Sequence, residues 1–266
     1  MDFKVHLISG LPRSGSTLLS AILRQNPRFQ AGMSGPLADI LVNLVQVMSS
    51  HESAIFISDA QREKILKSVV GAYYCGSTGK VIFDTNRRWC GLLSLVVQLL
   101  PGSLVICCVR NPAWIIDSVE RLVQRNPLLV PKMFGHEVID VYRRAEYLTT
   151  KGFLAPAANG LKQAWYGDNA GRLMAIRYES LAQRPAEVIR SLYEHLDEPL
   201  FEHDFENVEY DVPEFDTDLR MPGLHRVTGR VEMKTRETIL PPELFSQYDQ
   251  CFWDMPDQNP HSVRVL

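Results

Sequence analysis

The fold is decided by residues 5–19, which read Val-His-Leu-Ile-Ser-Gly-Leu-Pro-Arg-Ser-Gly-Ser-Thr-Leu-Leu. An apolar strand leads into a short loop that contains Gly10 and Gly15, and an apolar pattern at helical spacing follows Thr17. A strand, a tight glycine loop and a helix start together aim backbone N–H groups and the positive end of a helix dipole at one anion. This stretch therefore predicts a binding site for a phosphate or a sulfate.

The same loop has the spacing of a P-loop except at one position. Gly10, Gly15 and Thr17 fit the pattern Gly-x-x-x-x-Gly-Lys-Ser/Thr, but Ser16 occupies the lysine position. A P-loop lysine reaches the β- and γ-phosphates of a nucleoside triphosphate. Arg13 instead places a guanidinium group within the loop, where it suits a tetrahedral oxyanion. The loop therefore favours one phosphate or sulfate over triphosphate hydrolysis.

Outward from this loop, unbroken apolar runs alternate with helical patterns along most of the chain. Further strands are predicted at 80–84, 104–109 and 173–178, and helices at 37–50, 59–74, 89–100, 112–123, 135–149, 156–167, 179–196 (interrupted at Pro185) and 242–250. This alternation predicts an α/β fold with a central parallel sheet flanked by helices, which binds ligands at the carboxyl ends of its strands. We expect residues 1–266 to form a single domain, in which 199–266 is a wrapping C-terminal segment and 199–240 is a loop.

Composition narrows the environment and the partners. A net charge of −3 and an isoelectric point of about 6.2 give no polyanion-binding surface, so we expect no nucleic-acid partner. The five cysteines show no paired metal spacing, and Cys107 and Cys108 lie within an apolar run. We therefore expect buried thiols and no metal site. The absence of a signal peptide or a membrane-spanning run predicts a cytoplasmic protein.

A second anion site is predicted after the strand at 104–109. Arg110 follows that strand directly, Asn111 suits a helix N-cap, and Pro112 suits the first helical position. Ser118 lies seven residues after Asn111, which is two helical turns, so the two share a face. Arg110 and Ser118 would then close on one anion. The alternative is an arginine at the edge of the sheet and a serine that faces solvent.

Taken together, these motifs resemble those of sulfotransferases that use 3′-phosphoadenosine 5′-phosphosulfate (PAPS). Residues 10–19 resemble the 5′-phosphosulfate loop, in the form typical of the branch that contains tyrosylprotein and many bacterial sulfotransferases. Residues 109–112 with Ser118 are similar to the 3′-phosphate motif of that family. Residues 177–181, Arg-Tyr-Glu-Ser-Leu, are similar to its Arg-Tyr-Glu-x-Leu segment, whose tyrosine lies near the nucleotide.

The resemblance implies a fold related to the P-loop nucleotide kinases and a reaction without a metal. A sulfuryl group would pass from PAPS to a hydroxyl or amine of a small-molecule or peptide acceptor, leaving adenosine 3′,5′-bisphosphate (PAP). Arg13 would hold the 5′-phosphate and act on the leaving oxygen, and Arg110 and Ser118 would hold the 3′-phosphate. The implied nucleotide contacts are Arg13, Ser14, Gly15, Ser16, Thr17, Leu18, Arg110, Ser118, Tyr178, His225 and Arg230.

Residues 223–230 supply the last two of these contacts, because the segment loosely resembles the family's closing loop over the nucleotide. Arg226 would join His225 and Arg230 there. A charged surface loop is the competing interpretation of the same residues.

The general base departs from the family pattern. Where the tyrosylprotein branch has a glutamate, this chain has Gly-Met-Ser-Gly at 32–35, and where that branch has a lysine it reads Asp-Thr-Asn-Arg at 84–87. Asp84 is the first candidate base, because it ends a strand on the ligand side. Alternatively, Asp84 caps the helix at Trp89 or pairs with Arg87 or Arg88. Asp39 and His51 are secondary candidates, and either could simply face solvent.

Two other functions fit the sequence. One is a P-loop kinase or nucleotide hydrolase with a degenerate lysine position, and the other is a non-catalytic homologue that retains the nucleotide site. The walls of an acceptor pocket are predicted within residues 33–60, 130–160 and 199–230, whose Leu, Met, Phe and Trp content predicts a partly apolar pocket.

Overall fold

A single parallel sheet organises the protein. The computed structural model describes residues 3–50, 52–128, 134 and 140–266. Six strands are ordered β2-β3-β1-β4-β5-β6, and every neighbouring pair is parallel. They are β1 (Lys4–Gly10), β2 (Phe29–Ala31), β3 (Val81–Thr85), β4 (Val105–Val109), β5 (Leu173–Arg177) and β6 (Arg264–Val265). The predicted parallel sheet and its flanking helices are confirmed.

Helices follow the strands and cover both faces of the sheet. They are α1 (Ser16–Leu23), α2 (Leu37–Ser49), α3 (Asp59–Tyr73), α4 (Leu93–Leu99), α5 (Pro112–Arg125), α6 (Val141–Thr150), α7 (Leu154–Tyr166), α8 (Tyr178–Gln183), α9 (Pro185–Leu196), α10 (Pro213–Asp218) and α11 (Pro242–Tyr248). Among the described residues, no helix is both long and apolar enough to cross a bilayer.

Side-chain alternation along the strands divides the core into two layers. Leu7, Cys107 and Ala175 point to a layer shared with α2 to α5 and α7, whereas Ile8, Cys108 and Ile176 point to a layer shared with α1, α8 and α9. Because both faces are covered, the strands are predominantly apolar, as the sequence predicts. Cys107 and Cys108 are fully buried, and all five cysteines are free thiols.

The structure corrects several predicted elements. Strands β2 and β6 were not predicted, because three and two residues are too short to show a strand pattern. Helix α3 begins at Asp59, as predicted, and its N-cap residue Ser58 forms a capping box with Gln61. The predicted helix at 89–100 begins as a 3₁₀ helix, Arg87–Leu92, before α4. The interruption at Pro185 is confirmed, since α9 begins at that residue.

Residues 199–240 are more ordered than the predicted loop. They contain α10, and an antiparallel bridge joins Tyr210 to Val227 through backbone hydrogen bonds of 2.9 and 2.8 Å. Val208, Tyr210 and Val231 pack with the sheet layer that contains Ile8. The segment therefore lies against the same part of the sheet from which the glycine loop emerges. The first residues of the predicted helix at 135–149, namely 135–139, lie outside the described part of the chain.

Candidate anion-binding active site

The loop between β1 and α1 depends on close backbone packing against β4. Gly10 has a φ of 99°, and a Cβ atom there would lie 2.2 Å from the carbonyl oxygen of Cys108. Gly15, with a φ of 94°, occupies the N-cap of α1 in the left-handed region. Only glycine enters these conformations without strain. Arg13 also has a positive φ, 56°, and the resulting turn directs its side chain toward the neighbouring strand end.

Two features fix this loop and leave its amides available. The hydroxyl of Ser14 is buried and contacts the carbonyl oxygens of Leu11 and Cys108, the latter at 2.8 Å. Its side chain therefore supports the loop, and only its backbone N–H can serve a ligand. Helix α1 has no side-chain cap, so its first-turn N–H groups, from Ser16 to Leu18, are open to an anion. These residues line a cavity of about 690 Å³.

Arg13 joins three parts of the molecule at this cavity. Its Nε donates to the hydroxyl of Ser118 at 3.2 Å, and one of its terminal nitrogens donates to the carbonyl of Leu224. Ser118 belongs to α5, and Leu224 belongs to the C-terminal segment. Burial, with a further contribution from Arg110, lowers the pKa of Arg13 to about 10. A guanidinium group that has lost much of its hydration and lies near a second cation is stabilised in its charged form when an anion binds beside it.

Arg110 and Ser118 both line the cavity. Asn111 caps α5 through a 2.9 Å bond from the amide of Ala113, and Pro112 begins the helix. Arg110 is 8% exposed, its guanidinium lies 4.2 Å from the centre of the Tyr178 ring, and it donates to the carbonyl of Arg13 at 3.4 Å. Burial lowers the pKa of Arg110.

One buried donor of Arg110 is left over. Its Nε has no hydrogen-bond partner within the described part of the chain, since the nearest carboxylate oxygen, from Glu179, is 3.6 Å away. Unpaired buried donors are costly unless a ligand satisfies them. The alternative of an arginine at the sheet edge beside a solvent-facing serine is therefore wrong, because both side chains are nearly buried on the cavity wall.

The cavity is strongly cationic. Among the described residues, the wall carries seven basic side chains and one carboxylate, Glu232; the basic residues are Arg13, Arg87, Arg110, Arg226, Arg230, Lys234 and Arg236. A concave surface lined by one sign of charge concentrates ligands of the opposite sign. The volume falls within the range of about 300–1,000 Å³ that is typical of small-molecule sites. The cavity is therefore suited to a ligand with more than one anionic group.

A model of the sulfotransferase family matches residues 7–203, which include both strand-end anion sites and the segment around Tyr178. The chain belongs to the sulfotransferase family. No curated protein matches the chain in sequence.

Solved sulfotransferase structures share the fold. The sulfotransferase domain from the curacin biosynthetic pathway is 18% identical with a TM-score of 0.53, over 94% of this chain and 92% of that one. The sulfotransferase domain of the Synechococcus PCC 7002 olefin synthase is 15% identical with the same TM-score, over 94% and 95% of the two chains. The sulfotransferase STF9 from Mycobacterium avium is 14% identical with a TM-score of 0.50, over 100% and 79%. At these identities the likeness establishes the fold.

The structure adds Arg236 to the basic residues that were predicted. Arg236 lies on the cavity wall, and one of its terminal nitrogens lies 2.7 Å from a carboxylate oxygen of Asp117. Asp117 is fully buried on α5 and also accepts from Arg121 at 3.0 Å and from the amide of Ile239 at 2.8 Å. It therefore anchors the C-terminal segment beside Ser118. No motif marks this contact in the sequence, because its residues lie far apart in the chain.

The predicted contacts on the closing loop differ in burial. His225 is largely enclosed on the cavity wall. Arg230 also lines the cavity, but its side chain is 65% exposed and lies 3.3 Å from Glu206. Arg226 is similarly exposed and lies 3.9 Å from Asp211. The competing interpretation of a charged surface loop therefore describes Arg226 and Arg230 better than it describes His225.

Asp84 lies deeper than its position at the end of a strand suggests. Its carboxylate accepts hydrogen bonds from the hydroxyl of Tyr74 and from the indole N–H of Trp89, the latter at 2.7 Å, and it is 3% exposed. Burial raises the pKa of Asp84. Among the described residues that form the cavity wall, Asp84 is absent. Its role as a base stays a prediction, and the geometry shows a carboxylate that is committed to two internal donors.

The helix cap and the ion pair that were the alternative roles of Asp84 are formed by other residues. Asn86 caps the following 3₁₀ helix through a 3.0 Å bond from the amide of Arg88, and Arg88 pairs with Asp39 at 3.0 Å. Asp39 thus faces an arginine rather than the cavity. His51 lies outside the described residues. Arg87 stands on the cavity wall, and its guanidinium lies 5.3 Å from the centre of the Phe153 ring.

Proposed function

We propose that this sulfotransferase moves a sulfuryl group from PAPS to a hydroxyl or amine of a small-molecule or peptide acceptor and leaves PAP. The observation that carries the proposal is the meeting of Arg13 and Arg110 at two adjacent strand ends. Burial lowers the pKa of both guanidinium groups, and Arg110 lowers the pKa of Arg13 further. Such a pair is stabilised by a ligand with two separate anionic groups. PAPS carries two such groups on one ribose, the 5′-phosphosulfate and the 3′-phosphate.

The residues on the wall suit both ends of PAPS. Arg13 and the amides of residues 14–18 would bind the 5′-phosphate and stabilise the charge that develops on its leaving oxygen. Arg110, Ser118 and Arg236 would bind the 3′-phosphate, and the Nε of Arg110, which has no hydrogen-bond partner among the described residues, is a donor for it. Tyr178 lies against Arg110 and would hold it in place. Each charge-assisted hydrogen bond contributes about 1.5–3 kcal/mol.

The lysine position of the loop favours this donor over a nucleoside triphosphate. Ser16 has no charge with which to reach a γ-phosphate, whereas Arg13 enters the loop from an earlier position. The Pro-Arg-Ser-Gly-Ser-Thr form of residues 12–17 supports a place in the branch that contains tyrosylprotein and bacterial sulfotransferases.

The acceptor would enter past a partly apolar wall. Phe153, Phe215, Leu219 and Leu224 line the cavity together with Ser34. These residues come from all three ranges in which acceptor walls were predicted, although 129–133 and 135–139 lie outside the described part of the chain. A mixed wall of this kind suits an acceptor that presents a hydroxyl or amine on an apolar body.

Calorimetric titration tests the donor. PAP is expected to bind at least tenfold more tightly than ATP with Mg²⁺, because the second anion site recognises a 3′-phosphate. Tighter binding of ATP, or an absolute requirement for the metal, would favour a kinase or hydrolase and refute the proposal.

Turnover with ³⁵S-labelled PAPS across panels of phenols, alcohols, amines, sugars and tyrosine peptides tests the transfer. Labelled product is expected in at least one class. Binding of PAP with no transfer to any acceptor would instead identify a non-catalytic nucleotide-binding homologue.

A further inference from the structure

His225 and Asp216 form a hydrogen-bonded pair at the cavity wall. The Nδ1 atom of His225 lies 2.6 Å from one carboxylate oxygen of Asp216, and the backbone amide of His225 donates to the other at 2.9 Å. Asp216 is fully buried at α10, so the carboxylate is held in place on both sides. Because a carboxylate only accepts, Nδ1 carries the proton and Nε2 keeps its lone pair.

His225 lines the cavity, and its Nε2 atom has no hydrogen-bond partner in the part of the chain that the structure describes. Phe215 packs edge-on against the ring with a centroid distance of 5.5 Å, and Arg13 and Arg87 are near enough to act on its charge. His225 therefore stands beside the guanidinium groups that would surround a transferred sulfuryl group.

We propose that His225 is the general base of this enzyme and that Asp216 is its positioning residue; the inference rests on the function proposed above. Nε2 takes the proton of the acceptor hydroxyl or amine while the acceptor atom forms a bond to sulfur. The bond between sulfur and the 5′-phosphate oxygen breaks, and its electron pair stays on that oxygen next to Arg13. The proton passes from His225 to solvent after the sulfated acceptor and PAP leave.

The comparison with Asp84 supports this assignment. Both residues have a buried hydrogen-bond partner, but Asp84 uses its two oxygens on Tyr74 and Trp89 inside the core. In His225, Nδ1 is hydrogen-bonded to Asp216, whereas Nε2 has no partner among the described residues, and the residue lines the cavity. A base must reach the acceptor proton directly or through one water. Only His225 of these two lies on the wall where the acceptor would bind.

Burial is the main reason why the pKa of His225 lies below its ordinary value. Burial lowers the pKa of His225, Asp216 from α10 raises it, and Arg13 and Arg87 from the loops after β1 and β3 lower it. Activity is therefore expected to fall on the acid side, at a pH below the ordinary histidine pKa of about 6.5.

Two substitutions and one control test the pair. In His225→Asn the amide nitrogen can still donate to Asp216, but nothing replaces Nε2. The same PAP titration and ³⁵S-PAPS assay are used, with water counted as an acceptor through the release of PAP. His225→Asn is expected to lower kcat by about 100-fold or more with PAP affinity within threefold of wild type. His261→Gln, an exposed histidine outside the cavity, is the matched control and is expected to leave both unchanged.

Asp216→Asn separates positioning from a merely structural role. It is expected to lower kcat about tenfold and to move the acid limb of the kcat–pH profile to lower pH, since the carboxylate no longer raises the pKa of His225. His225→Asn is expected to remove that limb. His225→Gln repeats the test if the asparagine variant fails to fold, as judged by its unfolding transition.

The outcomes distinguish this inference from the proposed function. Full turnover by folded His225→Asn, or an acid limb that persists in it, overturns the base assignment and leaves the sulfotransferase proposal intact. A loss of turnover in Asp84→Asn with none in His225→Asn returns the role to Asp84. Wild-type protein that binds PAP but never transfers a sulfuryl group from PAPS, even to water, also overturns the assignment. Failure of wild type to prefer PAP over ATP overturns the proposed function itself.

Discussion

The cavity is built from two regions that are held in place in different ways. The strand-end loops, residues 10–17 and 110–118, rest on buried backbone: Gly10 and Ser14 both pack against the carbonyl of Cys108. The C-terminal segment, residues 199–240, contributes both apolar and charged side chains to the wall and is anchored by two buried carboxylates, Asp117 and Asp216.

This difference suggests a division of labour. Backbone contacts allow one loop geometry, which suits a fixed set of anions. A segment that is held by a few side-chain anchors tolerates sequence changes between those anchors. This suits a cavity wall whose shape is matched to a particular acceptor. The two regions meet where Arg13 donates to the carbonyl of Leu224. Variants that damage one region and spare the other can break or sharpen this comparison.

Gly10→Ala should have the largest effect. Its Cβ would lie 2.2 Å from a backbone oxygen at a φ of 99°, so the contact cannot be relieved by a side-chain rotation. We expect a loss of about 3–5 kcal/mol in the free energy of unfolding, measured with urea, and loss of PAP binding.

Gly171→Ala is the matched control for that substitution. Gly171 lies in the 3₁₀ helix before β5, and a Cβ there meets nothing within 4 Å. Its expected change is within about 0.5 kcal/mol. Equal losses in the two variants would contradict the view that the β1–α1 loop is fixed by its backbone.

The second largest effect should be a loss of stability of the sheet region in acid. His6 in β1 is buried and accepts from the amide of Leu104 at 3.2 Å, and burial lowers its pKa to about 4. The unfolded chain therefore binds a proton more readily than the folded chain. The stability that this histidine confers is complete above pH 6.5 and falls as the pH drops toward 4, by about 3 kcal/mol in total.

Urea unfolding of wild type and His6→Gln between pH 7 and 4.5 measures this contribution. His195 and His203 also have lowered pKa values and add to the slope of both proteins, so the difference between the slopes belongs to His6. Parallel slopes would show that His6 does not titrate in this range.

The sequence predicts the region that is fixed by backbone far better than the other. Continuous apolar strands, the loop glycines and the cap at Asn111 are local signals, and the structure confirms each of them. The partners of Asp84 come from α3 and from a 3₁₀ helix, so a strand-end carboxylate that looks available is enclosed by tertiary packing.

The anchors of the C-terminal segment leave no comparable signal. Asp117 and Ile239 are joined across 122 positions, and Asp216 and His225 across nine positions of irregular chain. Neither spacing matches a helical or strand period. These contacts depend on how the segment folds back over the sheet, which only the three-dimensional structure shows.

Arg110→Met should affect the ligand rather than the fold. The methionine preserves much of the apolar stem beside Tyr178 but removes the charge near Ser118. We expect tenfold or greater weakening of PAP binding by calorimetry and little change for AMP, which lacks the 3′-phosphate.

Arg190→Met, an exposed position on α9, is the control for a lost positive charge. Equal weakening of PAP and AMP in Arg110→Met would place Arg110 at the 5′ end of the nucleotide instead.

The smallest effects should separate two arginines of the C-terminal segment. Arg236 is anchored by buried Asp117 at 2.7 Å, whereas Arg230 is 65% exposed and pairs with equally exposed Glu206. An exposed ion pair is worth about 0–1 kcal/mol and is screened by salt. We expect Arg230→Gln to change PAP affinity by less than threefold and Arg236→Gln by about fivefold to tenfold, both measured by calorimetry at 0.15 M salt. Arg236→Gln also removes an ion-pair partner of Asp117, so the unfolding curve of this variant is recorded in parallel. A loss of stability with unchanged PAP affinity would show that Arg236 anchors the segment and does not contact the nucleotide. A larger effect at Arg230 than at Arg236 would mean that the segment closes further over bound nucleotide and brings its exposed charges into contact with the nucleotide. The C-terminal region would then differ from the strand-end loops in its motion as well as in its anchoring.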